Sequence, residues 1–182
     1  KRVGLLGLGH IGQKVAAIVR GFGAEVVYYD ASRVSPDMEA TLGAQFLPLD
    51  EVLRTSDIIS LHMPLLDSTK HLINAEAIAK MRSSALLVNT ARGGIIDTDA
   101  LLEALKEHRI LGAALDTIEG EPLPLDHPAF ELDNLLITPH AGGNTEDNNN
   151  NMASYIMDNI DAMESGKSLN PYSIVNAKFL KR

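Results

Sequence analysis

The chain has 182 residues, 45% hydrophobic and 22% charged, proportions that suit a folded domain with a proper core and exclude wholesale disorder. Its 16 basic and 24 acidic residues give a formal net charge of −8, an unfavourable balance for nucleic acid or an anionic membrane. Cysteine is absent, which excludes disulfides, thiol nucleophiles and Cys-ligated zinc or iron–sulfur sites.

Taken in chain order, residues 3–6 form the first apolar run, and helix-period residues follow over 11–22. Further strands are expected at 25–29, 45–47, 58–62, 85–89, 111–115 and 135–137, and further helices at 49–55, 75–81 and 100–107. Most of the strand runs are continuously apolar, as strands covered on both faces are. Leu101, Leu102 and Leu105 make one helical stripe, with Asp97 and Asp99 placed to cap it. The repeated strand–helix alternation predicts an α/β fold, a Rossmann-type doubly wound parallel sheet. Residues 119–128 hold three of the eight prolines and read as a loop. A longer helix is expected over 145–164; its asparagine run, 148–151, reads as a frayed, solvent-facing start. The expected division is a dinucleotide-binding domain over 1–165 and a tail over 166–182. No apolar run approaches the ~20 residues of a membrane span, and no signal peptide is visible, so the expected compartment is cytoplasmic. A core strand at the very first residues suggests a piece of a longer chain.

Gly7-Leu8-Gly9-His10-Ile11-Gly12 matches G-x-G-x-x-G between a strand and a helix, the context that gives the pattern meaning. Gly7 permits the tight turn, Gly9 lets a pyrophosphate approach the backbone, and Gly12 lets helix and strand pack closely. The helix N-terminus offers amide hydrogens to an anion. Asp30 ends the second strand and can accept both ribose hydroxyls of NAD. Arg33 follows closely and could serve the 2′-phosphate of NADP instead, so composition and spacing leave cofactor choice open, with NADP the less favoured.

Three residues lie just past strand ends, where ligands bind in open parallel sheets. His140 follows Thr138-Pro139, Arg92 lies in Asn89-Thr90-Ala91-Arg92-Gly93-Gly94, and Glu121 lies in Asp116-Thr117-Ile118-Glu119-Gly120-Glu121-Pro122. An arginine fork suits a carboxylate bidentately, and a carboxylate beside a histidine favours the imidazolium. The plainer readings are a surface arginine and a solvated loop acid, and spacing does not choose between Glu119 and Glu121. Of the other histidines, His10 lies inside the glycine loop and can border the cofactor, His62 ends a strand and could touch the cofactor too, His108 closes a helix, and His71 and His127 read as surface residues.

Together these motifs resemble the D-2-hydroxyacid dehydrogenase family: GLGHIG with Asp30, then HMPLLDSTKHLI (62–73), NTARGGIID (89–97), ALDTIEGEPL (114–123) and TPHAGGNT (138–145). The resemblance implies that Glu121 rather than Glu119 is the catalytic glutamate. It makes Arg92 the substrate-carboxylate arginine and His140 the general acid/base. Asp116 would hold the nicotinamide carboxamide. Pro64, Thr69, Thr90 and Gly142 would line the NAD site with Gly7, Gly9, His10, Ile11, Gly12, Asp30, His62, Arg92 and His140. The family has two domains, and the resemblance implies that this chain is the cofactor domain without the N-terminal, substrate-domain half. The stretches PLLDSTKHLI and GKSLNPYSIVN (166–176) lean towards a phosphoglycerate dehydrogenase-like branch. The expected reaction is hydride transfer between nicotinamide and C2 of a small 2-hydroxy or 2-oxo acid, without a metal, in a homodimer formed through this domain. The competing reading is an NAD(H)-sensing or corepressor-like binding module.

Overall fold

All seven apolar runs become strands in the computed structural model, which describes residues 1–169. β1 (Arg2–Leu6), β2 (Glu25–Tyr29), β3 (Ala44–Phe46), β4 (Ile58–Leu61), β5 (Leu86–Asn89), β6 (Gly112–Leu115) and β7 (Leu135–Ile137) form one sheet in the order β3-β2-β1-β4-β5-β6-β7. Every pairing is parallel. Between the strands lie α1 (His10–Gly21), α2 (Pro36–Leu42), α3 (Leu49–Thr55), α4 (Ala75–Lys80) and α5 (Thr98–Lys106), and α6 (Glu146–Glu164) follows β7.

Two cores explain the continuously apolar strands. Val3, Leu5, Val26 and Tyr28 face one side of the sheet and pack with Ala16 of α1 and Leu42 of α2. Leu6, Val27, Ile59, Leu61, Leu87 and Leu115 face the other and pack with α3, α4 and α5 through Val52, Ile78 and Leu101. Burying a leucine or valine fully contributes ~1.5–3 kcal/mol, so neither face could be polar.

Helix α2 is an element the apolar pattern did not announce, because its apolar stripe is thin. Its ends are nonetheless well specified. Ser35 caps it by accepting from the Met38 amide at 3.3 Å, Pro36 opens the first turn, and Gly43 closes it at φ +60°.

The chain divides into two compact units, Lys1–Ala141 and Gly142–Arg182. Helix α6 falls in the second unit. None of its described residues is buried. Its asparagine run is helical and tied down rather than loose: Asn148 donates to the Gly143 carbonyl at 2.7 Å, and Asn149 to Asn144 Oδ1 at 3.0 Å. Of the tail expected over 166–182, residues 170–182 lie outside the described residues, as does most of the stretch GKSLNPYSIVN.

Candidate active site

The strand order reverses between β1 and β4, and a crevice opens there at the carboxyl ends of the strands. The glycine turn occupies it. Gly7 has φ +99°, and a Cβ there would press on the His62–Met63 backbone 2.8 Å away. A Cβ on Gly12 would run into the Gly7 carbonyl, so this glycine packs the start of α1 against the turn. A Cβ on Gly9 would meet nothing within 4 Å; that position faces open space. Gly9 also starts α1 with no side-chain cap, and His10 and Ile11 are the exposed first residues of the helix. Asp30 leans over the turn: Oδ2 accepts from the Leu8 amide at 2.7 Å and Oδ1 from the Ser32 amide at 3.0 Å. His62, at the end of β4, pairs through Nε2 with Ser60 Oγ at 3.0 Å. Burial holds its pKa below the ordinary histidine value, so it is neutral at pH 7.

Beside the turn, Ile11, His62, Pro64, Thr90 and Arg92 line a cleft of about 420 Å³. Buried Asn89, at the tip of β5, shapes the Arg92 loop. Its Oδ1 accepts from the Ala91 amide at 3.0 Å, and its Nδ2 donates to the carbonyls of Arg92 (3.0 Å) and Thr117 (3.4 Å). Arg92 Nη1 donates to the Ala91 carbonyl at 2.6 Å. Gly93 touches the Ile118–Glu119 backbone so closely that any Cβ would collide with it. The arginine loop and the loop after β6 are thereby pressed together. Thr69 ties its own loop, donating to the Pro64 carbonyl at 2.7 Å while accepting from the Leu66 amide at 2.8 Å.

A second cavity, about 490 Å³, is lined by Glu121, Pro122, Phe130, Thr138 and His140 among others. Here Glu121 Oε1 meets His140 Nδ1 at 2.9 Å. Glu119 takes a different histidine, with Oε2 2.8 Å from His71 Nε2. His140 adopts φ +52°, the left-handed region uncommon for a side-chain-bearing residue. Asp116 braces that conformation, since its Oδ1 accepts from Thr138 Oγ1 at 2.6 Å and from the Ala141 amide at 2.9 Å. A His–Glu pair held in this way, past the carboxyl end of β7, has the geometry to pass a proton through the imidazole ring.

Residues 1–142 match the family described as D-isomer specific 2-hydroxyacid dehydrogenase, NAD binding domain. The chain belongs to that family. It is 40% identical over 181 residues to the glyoxylate reductase of Korarchaeum cryptofilum and 42% identical over 181 residues to that of Aeropyrum pernix, covering 100% of this chain in both cases and 54% and 53% of theirs. Among solved structures it is similar to the D-lactate dehydrogenase of Lactobacillus jensenii with NAD+, with a TM-score of 0.86 and 37% identity, over 92% of this chain and 54% of that one. The chain spans about half the length of these dehydrogenase relatives.

In this D-2-hydroxyacid dehydrogenase domain the expected residues fall into two groups. Gly7, Gly9, His10, Ile11, Gly12, Asp30 and His62 gather at the switch point, with Pro64, Thr90 and Arg92 along the adjoining cleft. Glu121, His140 and Asp116 gather at the ends of β6 and β7. Arg92 lines a different cavity from the His–Glu pair and is linked to it through Asn89 and Gly93. Thr69 contributes its hydroxyl to loop closure, and Gly142 opens the second unit. Asn89 and Thr138 were not among the expected site residues, although a polar residue ending the apolar run 86–88 was a usable signal. Among the described residues no group of three His, Asp or Glu side chains is placed to hold a metal ion, and no helix is long and apolar enough to cross a membrane.

Proposed function

We propose that the protein serves NAD-dependent, reversible hydride transfer at C2 of a small D-2-hydroxy or 2-oxo acid. The observation that carries this reading is the 2.9 Å contact between Glu121 Oε1 and His140 Nδ1. A pure binding module needs no braced proton donor. The glycine turn fits the dinucleotide: Gly9 leaves the space a pyrophosphate needs, and Asp30 is held by two backbone amides for the ribose hydroxyls. Bound NAD would supply the nicotinamide ring that gives or takes the hydride.

The rest falls to the protein. Arg92 holds the substrate carboxylate with its planar fork. With Nδ1 turned to Glu121, His140 presents Nε2 to the substrate oxygen, giving it a proton on reduction and taking one on oxidation. Glu121 holds the ring in place through Nδ1 and fixes its tautomer. The names of the relatives favour a short 2-oxo acid such as glyoxylate as the substrate; the stretch PLLDSTKHLI favours 3-phosphoglycerate. A homodimer formed through this domain and a cytoplasmic setting belong to the same reading.

The test is NADH oxidation by the longest polypeptide that carries this chain, against glyoxylate, pyruvate and phosphohydroxypyruvate. Turnover is expected with at least one of them, and His140→Ala should lower kcat by ~10²–10⁴ while leaving NADH affinity little changed. Tight NADH binding without turnover on any of the three would instead point to a nucleotide-sensing role.

A further inference from the structure

We propose that Glu39 sets the cofactor preference of this chain by holding Arg33 away from the ribose 2′-position. The inference rests on the reading that the adenosine ribose sits at Asp30. Arg33 lies three residues past Asp30, the region from which an arginine accommodates the 2′-phosphate of NADP in dinucleotide folds. Here the guanidinium is already engaged. Nε and Nη2 donate to the two carboxylate oxygens of Glu39, both at 2.8 Å, in the bidentate geometry a phosphate would otherwise take. Its plane rests over the Phe46 ring, 5.3 Å from the centroid.

Glu39 is itself anchored to the core. Its Oε1 accepts from the hydroxyl of Tyr28 at 2.7 Å, and Tyr28 is wholly buried in β2. The Tyr28 oxygen in turn accepts from the Val34 amide at 3.2 Å, which fixes the loop that bears Arg33. The Glu39 side chain is only 14% exposed, against 58% for Arg33, so the acid is the fixed partner and the arginine the held one. The bonds from Arg33 and Tyr28 keep the Glu39 carboxyl at about 2, and it stays charged at any working pH. Two carboxylates therefore act on the same choice. Asp30 disfavours a phosphate directly, and Glu39 does so by engaging Arg33, a cation that could welcome it.

Calorimetry on the full chain tests this with NAD+, NADP+ and adenosine 2′,5′-bisphosphate as probes. In an Asp30→Ser background, which removes the direct repulsion, adding Glu39→Gln should tighten binding of the bisphosphate and of NADP+ by roughly tenfold, the worth of one charge-assisted bidentate contact. NAD+ binding should change far less. Adding Arg33→Ala to that double variant should abolish the gain. Arg33→Ala added to Asp30→Ser alone, with Glu39 intact, should leave bisphosphate affinity unchanged in about 0.5 M salt, which screens the Glu39 charge left without its partner; this arm does not depend on the Glu39 variant folding. The proposal is overturned if a folded Asp30→Ser/Glu39→Gln protein gains nothing, if the gain survives loss of Arg33, or if Arg33→Ala weakens bisphosphate binding in about 0.5 M salt while Glu39 is present. A wild type that fails to bind NAD+ would overturn the cofactor reading itself, and that failure is visible before any variant is made.

Discussion

Glu119 and Glu121 sit two positions apart in one loop and serve different histidines, His71 at 2.8 Å and His140 at 2.9 Å. Sequence spacing could not separate them, because both are acids in the same proline-rich stretch. What separates them is Gly120 at φ +82°, which turns the chain between the two side chains. Family resemblance selects Glu121, and the geometry gives it the histidine braced by the Asp116 network. If Glu121 acts on the proton-bearing ring, Glu121→Gln should reduce kcat by ~10²–10⁴, whereas Glu119→Gln should leave kcat within a few-fold. Steady-state kinetics on the two variants checks this, and equal losses would remove the distinction. The glycine fingerprint and Asp30 were legible because their chemistry is local. Asn89 was not, since its importance lies in bonds to Arg92 and Thr117, the latter 28 residues away.

Among the elements, strands and most helices could be read directly, since burial on both faces leaves strands no freedom to be polar. Helix α2 shows the limit of that signal: with one residue buried, Leu42, it is specified by its caps rather than its stripe. Loop-to-loop contact was also hidden. The Arg92 loop and the loop after β6 meet where Gly93 has no side chain, and no periodicity reports such a meeting. Gly93→Ala should therefore push the two loops apart. Overpacking of this kind costs ~1–3 kcal/mol, so a lower melting temperature is expected together with a raised KM for the acid substrate. Stability and KM both unchanged would mean that the loops are not pressed together as described.

For the whole molecule, acid sensitivity follows from a few carboxylates that the fold pairs. Glu39 is held at about 2 by its bonds from Arg33 and Tyr28. Asp57 is held below its ordinary value by the Arg2 amide first and by the charges of Lys1 and Arg82. Both folded values lie below the unfolded ones, so both groups add stability above the ordinary carboxylate range and lose it as pH falls through their folded values. Melting temperature should thus drop as pH is lowered from about 4.5 towards 2, from the unfolded range to the Glu39 value, and Glu39→Gln should flatten that limb. A limb of unchanged slope in the variant would remove Glu39 from the account. Net charge was readable from composition, but which acids are paired was not, because pairing depends on what the fold brings beside them.

The sheet order β3-β2-β1-β4-β5-β6-β7 has one more consequence. Everything argued to read the nucleotide's ribose (Asp30, Arg33, Glu39 and Phe46) lies before residue 47. Arg92, Glu121 and His140, which would handle the acid, all lie after β4 begins at Ile58. A single recombination between Phe46 and Ile58 would therefore hand a descendant a new nucleotide preference and leave the inherited proton chemistry intact.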